Sequence, residues 1–166
     1  MLSLSIFSSS QRMSIALYKD KMLEEFYEKD LDGVKMDAIF LLLKKIFKNR
    51  RIQIEQIFYS IGPGSFTSIR SIKAIAEGIS NILCSKIINV SEFDIYLSNL
   101  ENQNKDVLVF YNSFNKNFFF KRFRLINNKY KSISNLLVGE LEEIVKYIDK
   151  NNKSFKDLKL ISNSKK

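Results

Sequence analysis

The spacing of hydrophobic and polar positions predicts strands and helices that alternate in the first half of the chain. Residues 2–7 alternate apolar and small polar side chains, which is the two-residue period of a half-buried strand. The pattern returns after a turn, and Asp20-Lys21 then marks a tight hairpin before a third strand. The expected order is three meandering strands, a helix, a strand, a helix and a strand, at 2–7, 13–18, 22–27, 37–48, 56–61, 66–84 and 87–90.

The second half is less regular, but strands again precede a helix. A polar loop at 101–105 follows a short helix, and the lysine-rich end of the chain is expected to add one strand. The other elements predicted in this half are helices at 92–100 and 140–150 and strands at 106–111, 117–125 and 129–133. This recurrence indicates a duplicated α/β arrangement, with a first lobe at 1–100 and a second lobe and basic tail at 101–166.

Composition limits the chemistry available to the chain. The absence of histidine excludes Ser-His-Asp and Cys-His catalysis and zinc sites of the HExxH type. No acidic loop with calcium-binding spacing is present, so no metal site is expected. The single cysteine, Cys84, and a start without a basic, apolar leader favour a cytoplasmic protein that does not enter a membrane. An independent catalyst would depend on carboxylates, lysines or a bound nucleotide.

The net charge of +9 arises from 27 Lys and Arg residues against 18 Asp and Glu residues. A positive field favours nucleic acid or another polyanion as a partner. Most of these cations are lysines, and the abundance of Lys, Asn and Ile is also what an AT-rich coding sequence produces. Charge alone leaves both RNA contact and compositional drift open.

The most specific local signal lies between an apolar strand and a long helix, in the segment Gly62, Pro63, Gly64, Ser65, Phe66 and Thr67. Glycine admits backbone angles that other residues avoid, and proline fixes the corner of a turn. Ser65 or Thr67 is expected to cap the helix with a side-chain oxygen. Free N–H groups at such a turn can bind an anion. The spacing matches neither a Walker loop nor a dinucleotide-binding motif, so a turn that binds nothing is the favoured interpretation.

This segment and the helix after it, including Arg70, resemble the GPGSFTG signature of the TsaB (YeaZ) family. The opening hairpin, the helix from Asp37 and the residues at 106–120 are similar too, so the resemblance covers roughly residues 1–125. It implies an α/β fold of the ASKHA (actin/Hsp70-like) type with two ribonuclease-H-like lobes, the second reduced. It also implies a non-catalytic subunit that supports TsaD in making threonylcarbamoyladenosine next to the anticodon of tRNA.

Several positions depart from the family pattern. Phe7 stands where the first strand of the family usually ends in Asp, and Asn112 stands where the second hairpin tends to carry another Asp. A phenyl ring and a carboxamide cannot organise metal and phosphates as carboxylates do. Ser68 and Ile72 replace two glycines. The resemblance therefore implies that this chain binds no cofactor alone, and that ATP and metal belong to its partner subunits.

In the TsaB family the first two helices form a bundle with TsaD or with a second copy of TsaB. The first helix carries more apolar residues than the single stripe that one sheet requires, which indicates deep burial or a partner. A charged residue at Leu42 or Ile72 is expected to abolish TsaD binding and leave the monomer folded. The residues expected at this interface are Ile39, Leu42, Leu43, Ile46, Ile69, Ile72, Ala76 and Ile79.

Basic residues also alternate with phenylalanine at 116–124. Lys121, Arg122 and Arg124 are candidates for RNA contact, because aromatic rings among cations can stack on bases. An edge strand that buries one set of phenyl rings explains the same pattern and is favoured. A second basic cluster is expected to complement the dipole at the end of the first helix, with Lys44, Lys45, Lys48, Arg50 and Arg51.

Two functions follow. The first is the non-catalytic TsaB-like subunit, with a TsaD-like catalytic subunit and a TsaE-like ATPase as partners, tRNA as an indirect partner, and a homodimer as the alternative assembly. The second is a stand-alone basic RNA-binding protein on the same fold. A hydrolase is disfavoured by the missing histidine and by Phe7.

Overall fold

Two five-stranded sheets organise the chain, which divides into the units Met1–Glu92 and Phe93–Lys166. The computed structural model describes residues 1–8, 12–30, 37–48, 52–100, 105–112, 116–155 and 157–162. The elements up to residue 90 are β1 (Leu2–Ser8), β2 (Arg12–Lys19), β3 (Met22–Asp30), α1 (Asp37–Phe47), β4 (Gln56–Ser60), α2 (Phe66–Leu83) and β5 (Lys86–Val90). The later elements are α3 (Glu92–Ser98), β6 (Asp106–Asn112), β7 (Phe118–Ile126), β8 (Lys129–Ser132), β9 (Leu137–Gly139), α4 (Leu141–Asn151), a 3₁₀ turn (Asn152–Ser154) and β10 (Leu158–Ser162).

The first sheet has the strand order β3-β2-β1-β4-β5. Strands β1, β2 and β3 pair antiparallel, whereas β4 pairs with β1, and β5 with β4, in parallel. The loop between β2 and β3 has positive φ angles of 49° at Asp20 and 71° at Lys21, as in a type I′ hairpin. The predicted meander and its two-residue hairpin loop are therefore confirmed.

Helices α1 and α2 both pack on one face of the first sheet. Alternation along β1 sends Leu4 and Ile6 into this core, where Ile39 of α1 and Ile72 of α2 meet them. The end of α1 is tied to β3 because the Nζ of Lys48 lies 3.3 Å from a carboxylate oxygen of Glu25. The main apolar face of each helix is thus buried against the sheet of its own unit.

The basic cluster at the end of α1 is only partly covered by the described residues. Lys44 and Lys45 lie in the last turn, as the dipole interpretation expects. Hydrogen bonds to Tyr27 and Glu25 raise the pKa of Lys48. The other two predicted members, Arg50 and Arg51, lie outside the described residues.

The second sheet has the order β10-β6-β7-β8, and β9 also pairs with β7. The 117–125 segment was expected at an edge, but β7 lies inside the sheet, with β6 on one side and β8 and β9 on the other. The edge-strand prediction is therefore wrong. The expected strand near the end of the chain is confirmed, because β10 pairs with β6 in parallel.

Two helices cover opposite faces of the second sheet. Phe93 and Leu97 of α3 pack against Val107 and neighbouring residues, whereas Ile144 of α4 packs against Leu108. The division at Glu92 and Phe93 therefore puts the packing residues of α3 in the second unit, although the sequence assigned 92–100 to the first lobe. No helix among the described residues is long and apolar enough to cross a lipid bilayer.

Candidate functional site

The segment from Gly62 to Ser65 turns the chain from β4 into α2. Gly62 has a φ of +88°, and a Cβ there would lie 2.7 Å from Cδ1 of Ile69, so both the backbone angle and the space favour glycine. The peptide bond between Gly62 and Pro63 is cis. The Oγ of Ser65 accepts a long hydrogen bond of 3.5 Å from the N–H of Ser68, which confirms Ser65 as the helix cap.

The first turn of α2 carries an exposed aromatic and cationic pair. The guanidinium of Arg70 lies over the ring of Phe66, 4.6 Å from its centroid. Both side chains are exposed, as is Thr67, so these motif residues face away from the core. The motif therefore combines a turn that starts at buried Gly62 with an outward-facing surface at the start of α2.

Behind this turn lies a carboxyl group that the sequence pattern did not single out. Glu92 is only 2% exposed, and one of its carboxyl oxygens accepts a 2.6 Å hydrogen bond from the Oγ of Ser60. The N–H of Glu92 donates to the carbonyl of Gly62 at 2.8 Å. Burial raises the pKa of Glu92 to about 7, against the opposing effect of the Ser60 hydrogen bond.

Topology brings Ser60 and Glu92 together. Strands β4 and β5 are parallel neighbours, so residues at or just beyond their carboxyl ends meet at one edge of the sheet. Ser60 ends β4, and Glu92 follows β5 by two residues. A polar residue at, or just after, the end of each of two consecutive parallel strands was the signal that could have found this pair.

The described residues include no group of three or more His, Cys, Asp or Glu side chains placed to hold a metal ion. Phe7 lies half-buried in β1, and Asn112 lies at the end of β6. These are the two positions where the resemblance places carboxylates, and neither side chain is one.

The predicted helix interface needs correction, because most of its residues face the sheet. Residues that pack one helix stripe against a sheet cannot also present that stripe to a partner. A charge at Leu42 or Ile72 would therefore enter the core and unfold the unit. The six predicted interface residues that are buried in the first unit are Ile39, Leu42, Leu43, Ile46, Ile72 and Ala76.

The two remaining interface residues are half-buried. Ile69 packs over the turn at Gly62, and Ile79 packs against the same core as Ile72. The apolar surplus expected from the sequence is present, but other residues carry it. The large apolar side chains that α1 and α2 do expose are Phe40 (58%), Leu41 (55%), Phe66 (71%) and Ile82 (82%).

The predicted RNA contacts on β7 also need correction. Arg122 is 6% exposed, and its guanidinium lies 3.1 Å from a carboxylate oxygen of Asp106. Arg124 donates to the same carboxylate at 2.9 Å, and this hydrogen bond raises the pKa of Arg124. Both arginines were expected at the surface, but Arg124 pairs with Asp106 in the β6–β7 register, and the Arg122 side chain reaches the same buried carboxylate from two residues along β7. RNA contact at Lys121, whose Nζ lies 5.8 Å from the ring centroid of Phe123, stays a prediction.

Comparison with known proteins gives one curated relative and a set of similar folds. No protein-family model matches the chain. The chain is 33% identical over 111 residues to the tRNA threonylcarbamoyladenosine biosynthesis protein TsaB of Buchnera aphidicola subsp. Acyrthosiphon pisum (strain APS), covering 64% of this chain and 50% of that protein. The chain thus spans half the length of that curated relative.

The solved structures show what the fold is similar to. YeaZ from Pseudomonas aeruginosa matches with a TM-score of 0.64 and 15% identity, over 82% of this chain and 66% of that one. An exopolyphosphatase from Cytophaga hutchinsonii matches with a TM-score of 0.52 and 10% identity, over 99% of this chain and 67% of that one. The predicted α/β fold of the ASKHA type is confirmed by these likenesses. The chain is thus similar in sequence to a TsaB protein and similar in fold to YeaZ.

Proposed function

We propose that the chain acts in the biosynthesis of threonylcarbamoyladenosine in tRNA, as a non-catalytic subunit that binds a TsaD-like catalytic subunit. The observation that carries the proposal is the 33% identity to a TsaB protein over 111 residues. A TsaE-like ATPase is the further partner, and tRNA is reached indirectly through the complex. The homodimer is the competing assembly.

The outer sides of α1 and α2 support a protein partner. Phe40 and Leu41 project from α1, and Ile82 projects from α2, while the opposite sides of both helices are buried in the core. Burial of each such side chain in an interface contributes about 1.5–3 kcal/mol of favourable transfer free energy. Space for close approach exists at Gly78 of α2, where an added Cβ would meet nothing within 4 Å. A TsaD-like subunit that packs its own helices here would bury these side chains.

The proposed lack of catalysis rests on two replaced positions. Phe7 and Asn112 stand where the resemblance places carboxylates, and neither can carry the negative charge that holds a metal ion beside phosphate. ATP and metal are therefore assigned to the TsaD-like and TsaE-like subunits. The contribution of this chain is to hold its partner in a competent arrangement.

Binding to the TsaD-like subunit of the same organism tests the proposal. Phe40→Glu and Ile82→Glu are each expected to weaken co-purification and calorimetric affinity by at least about tenfold, because a charge replaces a buried contact. The matched control is Phe26→Glu, which alters an exposed phenylalanine on β3 and is expected to bind normally. Circular dichroism checks that all three variants stay folded.

Two results would contradict this assignment. Equal affinity in the wild type and both helix variants would move the interface away from α1 and α2. Failure to bind the TsaD-like subunit, together with a homodimer that both helix variants disrupt, would establish self-association instead.

The stand-alone RNA-binding function keeps one observation in its favour, the net charge of +9. That function requires bare tRNA to bind without any partner, with a steep dependence on salt. It also requires Lys121→Glu to weaken that binding. We expect neither result, because Arg122 and Arg124 are engaged with Asp106.

A further inference from the structure

The turn at Gly62 is anchored by a buried acid that partner binding does not use. We propose that Glu92 is held as a neutral carboxylic acid which, through Ser60, locks the Gly62–Ser65 turn, and that ionisation of this carboxyl group releases the turn. The proposal concerns the isolated chain and does not depend on the partner named above.

Three hydrogen bonds connect Glu92 to the turn. The Oγ of Ser60 donates to a carboxyl oxygen of Glu92 at 2.6 Å, and the same Oγ accepts from the N–H of Gly62 at 3.2 Å. The N–H of Glu92 donates to the carbonyl of Gly62 at 2.8 Å. The side chain of Glu92 therefore bonds to Ser60 and its backbone bonds to Gly62. The position of Glu92 thus determines the backbone conformation where the turn begins.

None of the described residues places a counter-charge beside the carboxyl group of Glu92. The electrostatic effects on its carboxyl group come from burial and from Ser60 alone, with no contribution from a charged residue. Strand β4 carries no ionisable side chain apart from buried Tyr59. The charged side chains on the other elements around it are all exposed, and they are Arg70, Lys73 and Glu77 on α2, Lys86 on β5 and Asp94 on α3.

A carboxylate in this place would keep one hydroxyl donor for two oxygens, which is a costly way to bury a charge. Burial accordingly raises the pKa of Glu92 from 4.5 to about 7. The folded chain then retains a proton between these two values that the unfolded chain has lost. Stability from this group is fully present below pH 4.5 and is lost as the pH rises towards 7.

Ionisation would favour hydration of the carboxylate, and we expect this hydration to separate Glu92 from Ser60 and Gly62. The helix cap at Ser65 and the exposed pair of Phe66 and Arg70 follow directly after the turn. Their placement at the start of α2 therefore depends on the protonation state of Glu92.

The test compares Glu92→Gln, which mimics the neutral acid, with the wild type and with Glu24→Gln, which alters an exposed glutamate on β3. Urea unfolding is measured from pH 5 to pH 8. The unfolding equilibrium constant of the wild type relative to Glu92→Gln is expected to shift by about 100-fold in favour of unfolding across this range. The Glu24→Gln variant is expected to keep the pH dependence of the wild type.

Two measurements on the wild type complete the test. The side-chain carboxyl carbon of Glu92 is expected to titrate near pH 7 by NMR, and the amide of Gly62 should lose protection from hydrogen exchange above that pH, beyond the change in intrinsic rate. A midpoint near 4.5, or identical pH dependence in the wild type and Glu92→Gln, would overturn the proposal. If Glu92→Gln does not fold, the NMR titration of the wild type decides the question.

Discussion

Each unit buries one carboxyl group among its described residues, and the two groups are treated in opposite ways. Glu92 in the first unit has a single hydroxyl partner and no cation. Asp106 in the second unit is fully buried and accepts hydrogen bonds from the guanidinium groups of Arg122 and Arg124. Equal burial therefore produces a group that can titrate near neutral pH in one case and an ion-paired group in the other.

The comparison shows that the partners, rather than the depth of burial, decide the charge of an interior acid. The Asp106 cluster also reaches beyond the two strands, because Arg122 and Arg124 both donate to the carbonyl of Ser154. The ring of Phe155 lies 4.0 Å below the Arg122 guanidinium. The cluster thus links the 3₁₀ turn after α4 to β6 and β7 through ion pairs. The Glu92 network instead holds the Gly62–Ser65 turn in a way that we propose depends on pH.

The largest effect is expected when the ion-paired acid is removed. Asp106→Ala leaves the Arg122 guanidinium, whose side chain is 7% exposed, without its counter-charge, and should lower the unfolding free energy by about 3–5 kcal/mol. The measurement is urea unfolding at pH 7. The control Asp149→Ala, at an exposed position on α4, should stay within about 0.5 kcal/mol of the wild type. A loss below about 1 kcal/mol for Asp106→Ala would contradict the assignment of Asp106 as a buried ion-paired group.

A smaller effect is expected when the hydroxyl beside Glu92 is removed. Ser60→Ala deprives the N–H of Gly62 of its acceptor and should cost about 1–3 kcal/mol. The same change should raise the pKa of Glu92 further, because the Ser60 hydrogen bond opposes the effect of burial. Unfolding and NMR titration of the variant check both parts, with Ser5→Ala on β1 as the control. An unchanged titration midpoint would mean that Ser60 does not influence the acid.

The smallest effect is expected at the helix cap. The hydrogen bond from the N–H of Ser68 to the Oγ of Ser65 is long, at 3.5 Å, so Ser65→Ala should cost only about 0.5 kcal/mol, the low end for a cap. Ser65→Asp should restore this stability, because aspartate caps equally well. Thermal unfolding distinguishes the two variants. A loss above about 2 kcal/mol for Ser65→Ala would show that the turn, and not only the cap, depends on this side chain.

Local features of the fold were predictable because they depend on near neighbours in sequence. The two-residue period of β1, the Asp20-Lys21 loop and the Ser65 cap each follow from a few consecutive residues. The three-residue strand β9 was missed, since three residues are too few to show a period. The inner position of β7 was missed because it depends on β6 pairing with one edge of β7 and β8 with the other, and the periods of the strands do not show which strands pair.

The candidate site was predictable only in part, for a related reason. The glycine-rich turn can be recognised in the sequence. The Glu92 side chain, however, contacts it through Ser60, which lies 32 residues earlier in the chain. The surplus of apolar residues on α1 was visible as well, but not which members of it would face the sheet. Leu42 is buried and the neighbouring Leu41 is exposed, and only the orientation of the helix on β2 and β3 separates them.

The sequence by itself determined the periods of the strands and helices, the loops that join them and the excess of positive charge, because each is set by backbone geometry or by composition. The tertiary structure alone decided which cations meet an acid and which acid meets none. Burial and pairing arise when distant segments become neighbours, and the electrostatic cost of a charge depends on those neighbours rather than on its own residue type.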